Sequence, residues 1–163
     1  MRVNRIKLLI MDVDGTLTDG KIYMGDNGEV MKAFNAKDGY GITQILPQLD
    51  IIPVIITGRT SKIVENRAAE LKISELYQGV LDKVGVIRSL MKKYDCKRES
   101  LAYIGDDLND LAGMECCGLI ACPADADKFI RQTADFVCEH DGGSGAVRDF
   151  IDYIEEHMEH YPK

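Results

Sequence analysis

A chain of 163 residues with 45 % hydrophobic content is long enough to bury a full core and suggests one domain over 1–163. Its formal charge of −7 excludes a general nucleic-acid or anionic-membrane binder, while leaving room for a local cationic pocket that holds a small anion. The five cysteines, Cys96, Cys116, Cys117, Cys122 and Cys138, form no C-x-x-C pair and fit reduced, packed thiols in a cytoplasmic protein rather than a disulfide framework.

Arg2, Arg5 and Lys7 precede an apolar run, but Asp12 and Asp14 interrupt it and no small-residue cleavage site follows. Neither an exported nor a membrane-spanning form is expected. The run Ile6 to Met11 reads as a buried strand that closes on Asp12-Val13-Asp14-Gly15-Thr16. Asp is a poor strand residue and an expensive buried one, so two carboxylates at this break call for a cation or a role in proton transfer. A solvated Asp-Gly turn is the plainer reading of the motif taken alone. From Lys21 to Phe34 the pattern changes: Ile22-Tyr23-Met24 and Val30-Met31 flank Gly25-Asp26-Asn27-Gly28. Turn-forming residues between short apolar runs predict a projecting β-hairpin. A first helix should follow and end near Pro47.

A second β-branched run, Ile51 to Ile56, ends in Thr57-Gly58-Arg59. A hydroxyl beside free backbone N–H groups at a helix start can cradle a phosphate. Ile63, Val64, Arg67, Ala68 and Leu71 then share one helix face. Lys83 opens another helical pattern, Val84, Ile87, Leu90 and Met91. It is either a solvated helix-start residue or a point charge for a phosphate and its attacking group. Leu101 to Ile104 is a third strand, and it ends in Gly105-Asp106-Asp107-Leu108-Asn109-Asp110. These acids could merely complement a helix dipole. If parallel strands instead bring them beside Asp12, carboxylates converge on one point, and oxygen-only ligands suit Mg²⁺. Leu119 to Ala121 is a fourth strand, and Val147, Phe150, Ile151 and Ile154 line a C-terminal helix.

Strand and helix therefore alternate, which predicts an α/β fold: a Rossmann-like, doubly wound parallel sheet with ligands at the carboxyl ends of its strands. Only 43 positions separate Asp14 from Thr57, and 26 separate Thr57 from Lys83. The hairpin, a helix and strands fill these intervals, so no cap domain is expected.

Taken in order, Asp12-x-Asp14-Gly15-Thr16, Thr57-Gly58, Lys83 and Gly105-Asp106-Asp107-x-x-Asp110 resemble the four motifs of the haloacid dehalogenase phosphohydrolase superfamily. The resemblance narrows with Asp19-Gly20-Lys21-Ile22-Tyr23, Lys32 to Ile42, Ile56-Thr57-Gly58-Arg59 and Gly142 to Arg148. These segments look like the 3-deoxy-D-manno-octulosonate 8-phosphate phosphatases. That resemblance implies a Mg²⁺-dependent phosphatase in which Asp12 is the nucleophile and forms an aspartyl phosphate, and Asp14 is the acid–base residue. It further implies Mg²⁺ held by Asp12, Asp106 and the backbone carbonyl of Asp14, with Asp107 and Asp110 supporting that shell. Thr57 and Lys83 would bind the phosphoryl oxygens. Asn35, Ala36, Lys37, Asp38, Gly39, Thr57, Gly58, Arg59, Arg67, Lys83 and Asn109 would meet the substrate. A homotetramer with central hairpins and sites completed by neighbouring subunits is implied as well.

Thr43 and Ser144 stand where the octulosonate enzymes commonly carry Arg, which keeps a nine-carbon ulosonate 9-phosphate open as the alternative substrate. A receiver-like signalling module would share an Asp cluster, a Thr and a Lys, but a module that stores phosphate gains nothing from Asp14. A non-catalytic partner of a cytidylyltransferase would not need the full set of catalytic residues that this chain keeps.

Overall fold

The structure, a computed structural model, describes residues 5–158. Its centre is a six-stranded parallel sheet in the order β5-β4-β1-β6-β7-β8. The strands are β1 (Leu8–Met11), β4 (Ile52–Ile56), β5 (Glu75–Tyr77), β6 (Leu101–Ile104), β7 (Leu119–Cys122) and β8 (Phe136–Val137). All four residues of β1 and of β6 are buried, the pattern of a parallel strand covered on both faces. Side chains alternate across the sheet. Leu9, Met11, Ala102 and Ile104 join one core cluster with Val64, Ala68, Phe150 and Ile154, while Leu8, Ile10, Leu101 and Tyr103 join another with Ile87, Leu90 and Ile130.

The helices divide accordingly. On the first face lie α1 (Ala36–Tyr40), α2 (Lys62–Glu70) and α6 (Ala146–His157), and on the second lie α3 (Lys83–Lys93), α4 (Leu111–Met114) and α5 (Lys128–Thr133). This is the doubly wound arrangement expected. Each long helix contributes the stripe read from its spacing: Val64 and Ala68 from α2, Ile87 and Leu90 from α3, and Val147, Phe150, Ile151 and Ile154 from α6 are buried. Helix α1 is short. Irregular helical turns continue it to Leu49, with Pro47 inside the last of them and Asp50 in the left-handed region at φ 56°.

The hairpin forms where expected, from β2 (Tyr23–Gly25) and β3 (Gly28–Met31), antiparallel and separate from the main sheet. Among the described residues no additional domain lies between the motif-bearing strands, and no helix is long and apolar enough to cross a membrane.

Topology places the chemistry. β1 pairs with β4 on one side and β6 on the other, in matched register: Met11 lies opposite both Ile55 and Ile104. The chain reverses winding direction here, and such a switch point opens a crevice at the carboxyl ends of the strands. Asp12, Thr57 and Gly105 are the residues that follow these three strands.

Candidate active site

Asp12 leaves β1 as a buried residue whose N–H donates to Ile104 O at 3.2 Å. The chain then makes a wide turn over Val13–Leu17, closed by the N–H of Thr18 donating to Val13 O at 3.0 Å. Gly15 permits it with φ +89°, and a Cβ there would lie 2.0 Å from Asp106 Oδ2. The turn and the second acid cluster are thus in direct contact, and Thr16 Oγ1 donates to Asp106 Oδ1 at 3.3 Å. The C-terminal Gly-rich segment buttresses the same turn: a Cβ on Gly142 would fall 2.0 Å from Gly15 O.

Lys83, at the start of α3, is buried, with Nζ 3.1 Å from Asp12 Oδ1 and 2.7 Å from Asp110 Oδ1. Asp110 is fully buried and organises the cluster. Its Oδ1 also accepts from Tyr103 Oη at 2.8 Å, and its Oδ2 accepts from the N–H groups of Asp106 and Asp107 at 3.0 and 3.4 Å. Asp12, Asp106 and Asp110 can bring one carboxylate oxygen each within 4.8 Å of one another. Both oxygens of Asp110 already accept hydrogen bonds, so Asp12 and Asp106 are the carboxylates left to meet an ion.

Burial, with Asp110 nearby and Lys83 opposing, pushes the Asp12 carboxyl up to about 6. Burial and the charges of Asp110, Asp12 and Asp107 push Asp106 up to about 7. Three acids face one lysine, and this excess of oxygen-borne negative charge fits a hard divalent cation such as Mg²⁺. Because both carboxyls have folded pKa values above the unfolded 3.8, the folded state binds more protons between pH 4 and 7, and stability falls as pH rises through that window. A cation reverses that cost. In calorimetry we expect added Mg²⁺ to raise Tm more at about pH 8 than at about pH 5, because at the lower pH the ion must displace protons. An equal or larger gain at the lower pH would contradict this reading.

A cavity of about 470 Å³ opens over the cluster, lined by Asp12, Asp14, Gly20, Thr57, Gly58, Arg59, Asp106, Asp107, Leu108 and Asn109. The Thr57 hydroxyl and the N–H groups of Gly58 and Arg59 make no hydrogen bond among the described residues, so all three remain available to an anion. The Asp14 carboxylate turns toward the hairpin, where Lys32 Nζ bonds its Oδ1 and Arg59 Nε lies 3.9 Å from its Oδ2. The side chain thus stands off the Asp12–Asp106 pair.

Other residues expected at the substrate do not line this cavity. Asn35 caps α1 by accepting from Lys37 N at 2.8 Å, and Ala36 and Lys37 are exposed. Asp38 is buried and accepts from Arg148 N at 2.9 Å, with burial raising its carboxyl to about 6. Gly39 faces the guanidinium of Arg67, which stacks on Phe34 and pairs with Glu70 at 2.8 Å. Asp38 ties α1 to α6 through Arg148, and Gly39 and Arg67 bring α1 against α2, so in one chain none of the six lines the cavity. Conversely, Thr16, Lys32 and Tyr103 contact the acids, although none of the three is among the residues expected at the site. Thr16 alone could have been found, from its place in the first motif.

An aspartate pair at the switch point, a buried lysine beside the first acid and the hydroxyl that ends β4 define a phosphoryl-transfer site built on a doubly wound sheet. Residues 48–151 match the haloacid dehalogenase-like hydrolase family, and the chain belongs to it. Among characterised relatives, the 3-deoxy-D-manno-octulosonate 8-phosphate phosphatase KdsC of Escherichia coli K12 is 48 % identical over 153 residues, covering 94 % of this chain and 81 % of the relative. The cobalt-bound deoxy-D-mannose-octulosonate 8-phosphate phosphatase YrbI of Haemophilus influenzae superposes with a TM-score of 0.89 at 39 % identity, over 93 % of this chain and 88 % of that one. The octulosonate phosphatase of Moraxella catarrhalis, solved with a magnesium ion, phosphate and KDO, gives 0.89 at 41 % identity, over 94 % and 88 %. The chain is a phosphoric monoester hydrolase of this family.

Proposed function

We propose that this chain is one capless domain that hydrolyses 3-deoxy-D-manno-octulosonate 8-phosphate through an aspartyl phosphate on Asp12, with Mg²⁺ as cofactor. The observation that carries the chemistry is the buried Asp12–Lys83 contact at 3.1 Å, beside Asp106 and two residues from an Asp14 whose side chain is held elsewhere. The 48 % identity to the E. coli octulosonate phosphatase supports the eight-carbon substrate. Thr43 and Ser144, where cations are commonly found, are what the nine-carbon alternative rests on; within one chain neither lines the cavity, with Thr43 Oγ1 donating to Gly39 O and Ser144 N to Asp141 O.

In this reading Asp12, Asp106 and the Asp14 carbonyl would hold Mg²⁺, which would supply positive charge against the repulsion of phosphate and carboxylate. Asp12 attacks phosphorus, and the bond to the sugar oxygen breaks. Asp14 gives that oxygen its proton, then takes a proton from the water that attacks the acyl phosphate, releasing inorganic phosphate and restoring Asp12. Thr57, Gly58 and Lys83 bind phosphoryl oxygens. Arg59, half-exposed in the cavity lining, presents a planar fork that suits the sugar carboxylate, and Asn109, which lines the same cavity, suits its hydroxyls. The residues Asn35 to Gly39 and Arg67 could reach substrate only in an assembly.

Assembly is part of the proposal. The hairpin leaves Met24 and Val30 more than 60 % exposed and Met31 about half exposed, and a two-stranded hairpin with such a face is marginal alone. Packing copies together in closed symmetry, as a homotetramer, would cover it and place a neighbour over each open site.

The test is phosphate release across eight- and nine-carbon ulosonate phosphates with hexose phosphates as controls, using protein first stripped of metal and then given Mg²⁺, with its mass read by light scattering. We expect no release without metal, restored release with Mg²⁺, a preference for the eight-carbon ester and a tetramer mass. Full activity after exhaustive chelation, or a preference for hexose phosphates, would overturn it.

A further inference from the structure

The hairpin does more than present an apolar face. Lys32, the residue after β3, has a side chain only 1 % exposed, and a lysine is buried this deeply only when its ammonium is matched by fixed acceptors. Two carboxylates match it: Asp14, whose Oδ1 accepts its hydrogen bond, and Glu29, whose Oε2 is an ion-pair partner at 2.9 Å. Glu29 is tied in turn to the start of α2, accepting from Ser61 Oγ at 2.7 Å, and Arg59 lies 3.6 Å from it.

An ion pair that served only to anchor the hairpin would need nothing beyond Glu29 and Ser61. Lys32 instead reaches past Glu29 to Asp14. The other cation near Asp14, Arg59, is half-exposed and stands 3.9 Å from Oδ2, beyond hydrogen-bond reach. Among the described residues, Lys32 is therefore the hydrogen-bond donor that fixes the Asp14 carboxyl. Resting on the reading of Asp14 as the acid–base group, we propose that Lys32 is its positioning residue, and that the hairpin thereby sets where proton transfer to the leaving sugar oxygen takes place.

A misplaced acid matters only where the leaving oxygen needs a proton. A sugar alkoxide leaves poorly without one, whereas a nitrophenolate leaves readily, so losing the acid should penalise alkyl esters selectively in kcat/KM, which reports steps through the first irreversible one. The experiment compares kcat/KM for the octulosonate 8-phosphate and for p-nitrophenyl phosphate in wild type, Lys32→Met, Lys32→Arg and Asp14→Asn. Both esters are assayed on the same protein sample, so any loss of folded protein cancels in their ratio.

Lys32→Met should lower the sugar-to-aryl ratio by about 10-fold or more, the usual size for an outer residue that orients a reacting one. Lys32→Arg, which keeps a donor, should recover most of that ratio, and Asp14→Asn should lower it further still. If Lys32→Met depresses both esters equally while Asp14→Asn is selective, Lys32 is merely structural and this inference alone fails. If Asp14→Asn shows no selectivity either, the acid–base reading of Asp14 fails and the inference falls with it.

Discussion

Replacing Asp12 with Asn is expected to lower turnover by at least about 10⁴-fold, the scale on which removal of a covalent nucleophile acts. The amide is nearly the same size, keeps an oxygen for Lys83 and alters no packing, so lost activity reports lost nucleophilicity. Folding offers a second readout. The Asp12 carboxyl is held at about 6 against an unfolded value of 3.8, so above pH 6 its charge is a net cost to the metal-free fold, fully present at neutral pH. Asn removes that cost. The metal-free variant should melt no lower than wild type at about pH 8, while losing most of the stabilisation that Mg²⁺ confers. A variant that kept even a tenth of wild-type turnover would rule out the covalent mechanism.

Substitution of Asp110 should instead strike the fold. Its two oxygens serve Lys83, Tyr103 and two backbone N–H groups, and the residue is wholly buried. In Asp110→Asn one acceptor becomes an NH₂ that must face either the ammonium and phenol or the two N–H groups. Donor then meets donor, and Lys83 is left with Asp12 as its one counter-charge. Breaking a buried ion pair from one side costs about 3–5 kcal/mol, which urea denaturation would register as a large drop in midpoint. Activity should fall too, since Lys83 and the loop carrying Asp106 both take their positions from this carboxylate. A loss of less than about 1 kcal/mol would show that the network tolerates an amide and that Asp110 does not organise it.

Four of the six strands are legible because each is an apolar run, three of them ending at a chemical motif: Leu8–Met11, Ile52–Ile56, Leu101–Ile104 and Leu119–Cys122 fall within two residues of the runs that predict them. The edge strands are not. Glu75–Tyr77 opens on a carboxylate that only tertiary contacts with Lys93, Tyr77 and Tyr94 make tolerable, and Phe136–Val137 is two residues long. The acids, Thr57 and Lys83 are visible because chemistry constrains residue type at strand ends and helix starts. Contacts that depend on how the hairpin folds back are not visible: Lys32 lies 18 residues from Asp14, and no spacing rule joins them. The segment Asn35 to Gly39 and Arg67 illustrate the opposite limit. Resemblance assigns them to substrate, but in one chain Asp38, Gly39 and Arg67 pack α1 against α6 and α2, Asn35 caps α1, and Ala36 and Lys37 are exposed.

The most direct test of Asp12 as nucleophile uses Asp14→Asn with p-nitrophenyl phosphate and Mg²⁺. The aryl ester can phosphorylate the protein without an acid, and hydrolysis of the acyl phosphate then lacks its base. Acid quenching followed by mass spectrometry of the peptide that contains Asp12 should find that peptide phosphorylated, with about one phosphoryl group per chain. Release of inorganic phosphate with no covalent phosphoryl group, or phosphorylation of a residue other than Asp12, would contradict the account.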